Sequence, residues 1–229
     1  SQLEKKLCEI IRRHSNGRHT REKNCRDACE VFSKVPVKPG KKKRVGITGE
    51  IYMKYSKLGN DDIESFLLRQ GMEPYSGGFV NYCLYLVDTE RYKAEKYQHN
   101  PIMAKACAFV LHRLCEAQKH LLTVIGETDR FQTDLPFPEL KEKVQGILAE
   151  GCNTGDGWLI AAEVIQYVEK GCGSVLILHP FGCLVSHVCE RGILQRLHAR
   201  FPDVSIQTIE YDYDQSKTLR ESRILLAIS

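Results

Sequence analysis

The stretch SVLILHPFGCLVSHV, residues 174–188, decides the fold. Its first part is an unbroken apolar run that stops at Pro180 and Gly182, which is typical of a strand covered on both faces. The next segment, 186–201, predicts a helix that Ser186 can cap. Its inward face is formed by Ile193, Leu194, Leu197 and Phe201. A further strand, VSIQTIEY, follows at 204–211. This strand–helix–strand order predicts a parallel sheet.

The segments before and after this unit extend the same pattern. RVGITGE at 44–50 predicts a strand, and a helix beginning at Asn60 or Asp61 follows and ends at Gly71. MEPYS at 72–76 predicts an edge strand because it contains a proline. Helical patterns cover 101–124, 138–149, 158–170 and 215–228. The predicted fold class is α/β: a flavodoxin-like or Rossmann-like parallel sheet of about four strands, with a large helical insertion and a helical N-terminal arm.

The segment VPVKPGKKK at 35–43 breaks the helical pattern and predicts a domain boundary. We therefore divide the chain into a helical arm with a basic linker, 1–40, and an α/β domain, 41–229. Residues 77–170 of that domain form the mostly helical insertion. The chain begins at Ser1, so we interpret it as a piece of a longer protein.

Composition argues against a nucleic-acid-binding, a membrane-spanning or a disulfide-rich secreted protein. The 229 residues are 42% hydrophobic and 27% charged, with a net charge of +4. Two basic patches near the N-terminus lack interleaved aromatic residues, so we predict no nucleic-acid partner. No apolar run reaches the roughly 18 residues of a membrane span, and we predict no membrane partner. Ten cysteines without a secretory signal predict reduced thiols and a cytoplasmic location.

The predicted site lies where the strands 44–49 and 174–179 end, because parallel α/β sheets bind ligands at that edge. One loop carries Glu50 and Tyr52, and the other carries Gly182 and Cys183. Cys183 precedes a helix, which favours its thiolate, so it is a candidate metal ligand or nucleophile, or else a small residue filling a turn. A zinc site would have to combine His179, Cys183, His187 and Cys189, but no CxxC pair supports it.

Glu163 is the one acidic residue in the apolar stretch WLIAAEVI. It needs a partner or a cleft if it is buried, and the alternative is an exposed edge of the helix. The turn GDGW before it could receive a phosphate at the helix start, although glycines alone do not establish such a site.

An ordered series of motifs in this chain resembles a known superfamily. They are GEIY at 49–52, GDGW at 155–158, PFGCL at 180–184 and YDYD at 211–214. Over about 40–229 the chain is similar to the 2-hydroxyacyl-CoA dehydratase and benzoyl-CoA reductase D-component superfamily. The similarity is greatest to the C-terminal region of long activase-related proteins of anaerobic bacteria.

The resemblance implies an iron–sulfur protein that transfers low-potential electrons in anaerobic CoA-ester metabolism. By this analogy Cys183 is the candidate ligand of a [4Fe–4S] cluster, with Cys152 as a second ligand and Glu50, Tyr52 and Gly182 beside it. The family's clusters take cysteines from more than one domain, so this chain is expected to be an incomplete or non-catalytic fragment. The implied partners are other domains of the parent chain and an activator or dehydratase subunit. The alternative is a cluster-free α/β module that docks an activator or partner subunit through the Cys183 edge.

Overall fold

The computed structural model describes residues 2–13, 18–37, 40–128 and 130–229. Four parallel strands form one sheet in the order β2-β1-β3-β4. The strands are β1 (Arg44–Gly49), β2 (Glu73–Tyr75), β3 (Ser174–Pro180) and β4 (Ser205–Tyr211). The helices before β3 are α1 (Gln2–Arg13), α2 (Arg18–Ser33), α3 (Ile51–Tyr55), α4 (Ile63–Arg69), α5 (Phe79–Lys96), α6 (Pro101–Gly126), α7 (Phe137–Glu142) and α8 (Gly157–Glu169). After β3 come a π-helical turn (Ser186–Glu190), α9 (Arg191–Arg200) and α10 (Lys217–Ile228). The predicted α/β class with a helical insertion and N-terminal helices is confirmed.

The sheet is covered on both faces, which explains why β3 has no polar alternation. Along β3, Leu176 and Leu178 face one way, into a cluster with residues of α3, α4 and α10. Val175 and Ile177 face the other way, into a larger cluster with residues of α5, α7, α8 and α9. Successive side chains of a strand point to opposite faces, so a strand buried on both sides must be apolar at every position.

Helix α8 lies at the centre of the larger cluster. Its residues from Gly157 to Tyr167 are all buried, rather than only the predicted stripe beginning at Trp158. The insertion accounts for this, because Tyr85 of α5 and Phe137 of α7 both contact the Trp158 ring. The inner side of α8 packs against the sheet, where Gly46 leaves the space that the Tyr167 ring occupies. A helix buried on all sides is expected to be mostly apolar, as α8 is apart from Glu163 and Gln166.

The N-terminal helices pack on the insertion rather than on the sheet. Arg26 of α2 forms an ion pair of 2.7 Å with Glu127, just after α6. The Arg130 guanidinium donates to the carbonyls of Ser33 and Val35. None of the buried core residues in the described part of the chain precedes Val45. The N-terminal helices therefore pack on the outside of a core formed by residues from Val45 onward. The proposed domain boundary near residue 40 stays a prediction.

Several predicted helix limits are corrected. Helix α4 begins at Ile63, and Asn60 serves it by accepting a hydrogen bond from the Ile63 amide at 3.3 Å. The segment 138–149 is helical only in its first part, because α7 ends at Glu142. Helix α5 lies within the predicted helical insertion, 77–170, but no separate helix is predicted at its position. Ser186 does not cap α9; a π-helical turn lies there instead. Within the described residues, the structure contains no helix long and apolar enough to cross a membrane.

Candidate functional site

The candidate site lies at the carboxyl ends of β1 and β3. These strands are neighbours, and the chain continues from β1 to one side of the sheet and from β3 to the other. Where strand order reverses in this way, the loops diverge and leave a crevice. The Glu50 amide donates to the Leu178 carbonyl at 2.8 Å, which holds the two strand ends together. Gly49 has a φ of 129°, and a Cβ there would collide with the Leu178 backbone, so the turn requires glycine.

Glu50 lies in the turn after β1, as predicted, and Tyr52 lies in the short helix α3 that follows this turn. The Glu50 carboxylate accepts a hydrogen bond of 3.0 Å from the Met53 amide and so caps the short helix α3. Tyr52 is exposed and packs beside Gly59. Glu50 is half-buried, so its carboxylate reaches the crevice while it holds the turn.

The second wall of the crevice is the π-helical turn after β3. In it Ser186 and Glu190 are buried, and the Ser186 hydroxyl donates to one Glu190 carboxylate oxygen at 2.8 Å. The other oxygen of Glu190 has no hydrogen-bond partner among the residues that the structure describes. Burial raises the pKa of Glu190 to about 8. The Ser186 hydrogen bond lowers this pKa, whereas the Asp156 and Glu50 carboxylates raise it.

The third wall is the turn before α8. Asp156 is buried there and accepts a hydrogen bond of 3.3 Å from the Ile51 amide. Burial and the Glu50 carboxylate raise the pKa of Asp156 to about 7. The start of α8 therefore faces carboxylates, and the crevice suits a cation rather than the phosphate considered for GDGW.

Behind the crevice lies a fully buried ion pair. The Lys54 ammonium contacts both carboxylate oxygens of Glu163, at 2.7 and 2.8 Å, and the Thr48 hydroxyl donates to the same carboxylate at 2.5 Å. Burial alone would lower the pKa of Lys54, but Glu163, with smaller contributions from Tyr167 and Tyr55, holds this pKa well above its usual value. Glu163 is thus buried with a partner, and the alternative of an exposed helix edge is wrong.

Cys183 and Gly182 lie in the turn after β3, as predicted. Gly182 is exposed with a φ of 72°, and Cys183 is half-buried, with its amide donating to the Pro180 carbonyl at 3.3 Å. Cys152 lies in the turn before α8, where its thiol contacts the thiol of Cys189. Burial and this contact raise the pKa of Cys189 to about 11, which opposes formation of a thiolate.

These thiols do not fit an iron–sulfur cluster on their own. A [4Fe–4S] cluster takes about four ligands, mostly cysteine thiolates. In the described part of the chain, no three cysteine, histidine or carboxylate side chains are grouped so that they could hold a metal ion. The zinc set considered above does not converge for the same reason. The His179 ring is buried against the His187 ring, at 5.7 Å between centroids, whereas Cys189 contacts Cys152.

Asp156 and Glu190 are not among the site residues that the sequence predicts. A signal for Glu190 was present, because it continues the inward stripe of Ile193 and Leu197 by one helical turn, and Ser186 continues it by another. An acidic residue on an inward stripe needs a polar neighbour. Asp156 comes immediately before α8, which is buried on all sides. Its carboxyl group is therefore also placed in the protein interior, at the start of that helix.

Comparison with protein-family models, with curated proteins and with solved structures finds no match to this chain. The resemblance to the dehydratase superfamily therefore stays a prediction that depends on the four motifs alone.

Proposed function

We propose that this chain is a cluster-free α/β binding module that docks a partner subunit at the carboxyl edge of its sheet. The observation that carries the proposal is the exposure of three large apolar side chains beside the crevice. Phe181, Leu184 and Val188 are 67%, 73% and 62% exposed. Exposed apolar groups gathered beside a cleft mark protein interaction sites.

The chemistry of the same edge favours a partner with basic groups. Tyr213, after β4, is almost fully exposed and stands between Asp212 and Asp214. The crevice adds the carboxylates of Glu50 and Asp156. An apolar rim around acidic groups is complementary to a partner that offers apolar and cationic side chains. By the resemblance, this partner is an activator, a dehydratase subunit or another domain of the parent chain.

A second candidate function is the iron–sulfur domain implied by the resemblance. It is favoured by the place of Cys183, a half-buried thiol in the loop at the point where strand order reverses. The other ligands would have to come from outside the described residues of this chain, since those residues contain no group of three.

We place either function in the cytoplasm. All ten cysteines are free, which is typical of a reducing compartment.

Cross-linking tests the docking proposal. A photoreactive phenylalanine analogue at position 184, in the organism that makes the protein, should give one discrete product. The same analogue at Leu226, which is 79% exposed on α10, is the matched control and should not give that product. Val188→Asp should abolish the product while the circular dichroism spectrum is unchanged. Identical products at both positions, or persistence of the product in the Val188 variant, would contradict the proposal.

Anaerobic reconstitution with iron and sulfide separates the two candidates. A colourless, iron-free, folded protein supports the binding module. Absorption near ~400 nm that disappears in Cys183→Ser supports the iron–sulfur domain, because cysteine thiolates are the groups that hold such a cluster.

A further inference from the structure

Three carboxyl groups from three different elements lie around the crevice, although among the described residues they are not grouped closely enough to hold a metal ion. They belong to Glu50 before α3, Asp156 before α8 and Glu190 of the π-helical turn, and the fields of Glu50 and Asp156 both reach Glu190. Two nearby cationic side chains form ion pairs with other carboxylates. Lys54 binds Glu163. Arg191 binds Glu210 at 2.8 Å.

The buried carboxylate of Glu190 provides an independent observation. The side chain is fully buried and one of its oxygens accepts a hydrogen bond from Ser186, while the other has no partner in the described part of the chain. A buried polar atom without a hydrogen bond is costly, and a buried carboxylate without a counter-ion is more so. When Glu190 is ionised, its second oxygen therefore lacks a donor. A positively charged donor would bind this oxygen and offset the negative charge of the three carboxylates.

We infer that the crevice receives a guanidinium group, an arginine side chain of the docking partner. The inference deepens the docking function proposed above and depends on it. A metal ion is a poorer occupant because the described residues contain no group of three suitable ligands. Guanidinium offers five N–H donors in a planar fork, tolerates burial better than ammonium, and binds carboxylates at more than one oxygen. The aliphatic stem of an arginine would pack along Leu184 and Val188 at the rim.

Butylguanidinium is the probe for this site. Titrated into the whole chain and followed by NMR shifts and calorimetry, it should bind weakly and saturably, and butylammonium should bind less tightly. Glu190→Gln and Asp156→Asn should each weaken binding about tenfold, the effect of losing a charge-assisted hydrogen bond. Glu139→Gln, which removes an exposed carboxylate on α7, is the control and should bind as the wild type does.

Proton release gives a second readout. Asp156 and Glu190 are partly protonated near neutral pH, so bound guanidinium should expel protons and bind more tightly as the pH rises from about 6 to about 9. The other titratable groups that face these two carboxyls are Tyr82, Tyr85, Cys189, Glu163, Lys54 and Arg191. Wild-type binding without proton release would contradict the inference, as would variants that bind like the wild type.

The two proposals can fail separately. If position 184 cross-links to its partner but butylguanidinium does not bind, docking stands and the arginine inference falls. If butylguanidinium binds in the crevice but no discrete cross-link forms, the cation site stands and docking falls. If both stand, the cross-linked peptide of the partner should contain an arginine, and changing that arginine to Gln should weaken the complex.

Discussion

The ion pair of Lys54 and Glu163 connects the two parts of the carboxyl edge. Lys54 belongs to α3, Glu163 to α8, and the Thr48 hydroxyl joins them from β1. Next to them, the Tyr167 hydroxyl accepts a hydrogen bond of 2.7 Å from the Gly77 amide. Buried pairs of this kind contribute little net stability over apolar residues, but removal of one partner leaves an uncompensated charge. Here the Lys54–Glu163 pair fixes the position of α3 relative to α8, and therefore the position of Glu50.

Lys54→Met should lower the free energy of unfolding by about 3–5 kcal/mol, because it strands the Glu163 carboxylate in the interior. The double variant Lys54→Met with Glu163→Leu should recover much of that loss. Urea denaturation measures both. Lys34→Ala removes a cation from an exposed pair with Glu30 and is the control, with an expected change below about 1 kcal/mol. A single variant as stable as the wild type would show that the pair does not form.

The carboxyls of Asp156 and Glu190 should make stability fall as pH rises. Burial raises their pKa to about 7 and about 8, above their ordinary values near 4, so the native state retains protons that the unfolded chain releases. This contribution is fully present below about pH 4 and is lost as pH rises through about 7 and 8. Between about pH 5 and pH 8 we expect unfolding free energy to drop by about 3 kcal/mol or more. Urea titrations at several pH values measure it, and Asp156→Asn with Glu190→Gln should flatten the curve.

At the scale of elements, the π-helical turn forms the second wall of the crevice. Its wider turn places Ser186 and Glu190 inward while Val188 stays exposed. π-helical turns occur frequently at functional sites. The sequence gives apolar spacing for an ordinary helix from 186 onward, so periodicity alone could not distinguish the two forms.

The strand-to-helix turn at Gly49 is the most constrained connection in the edge. Gly49→Ala combines a φ of 129° with a collision against the Leu178 backbone, so it should cost about 2 kcal/mol or more and displace Glu50. Gly173→Ala is the control, because a Cβ there meets nothing within 4 Å and the backbone is not in the positive-φ region. Thermal unfolding of both variants measures the difference. Equal melting temperatures would indicate that this turn tolerates a side chain.

At the scale of the whole molecule, the sheet and both of its faces were predictable, and the polar site mostly was not. Apolar runs such as 175–178 specify strands directly. Gly46 and Gly49 lie where the Tyr167 ring and the Leu178 backbone approach β1 most closely. The convergence of Glu50, Asp156 and Glu190 depends on three segments far apart in the sequence. Local sequence patterns do not show which distant segments lie close in space, so the proximity of these three residues becomes visible only in the folded structure.

Residues 41–229 should fold without the N-terminal arm. The core clusters of the described residues lie at and after Val45, and the arm attaches through exposed contacts such as Arg26 with Glu127. Exposed ion pairs contribute about 0–1 kcal/mol each, so the truncated chain should melt within a few degrees of the full chain. Calorimetry measures the shift. A truncated chain that fails to fold would place the boundary elsewhere.

The complete burial of α8 has a consequence for how the protein opens. The inner side of α8 needs the sheet, and its outer side needs Tyr85 and Phe137 of the insertion. Neither layer can detach without exposing this helix to water, so the insertion and the sheet belong to one cooperative unit rather than two. Amide hydrogens of α5, α8 and β3 should then exchange with solvent through a single global event, with those of α1 exchanging much earlier.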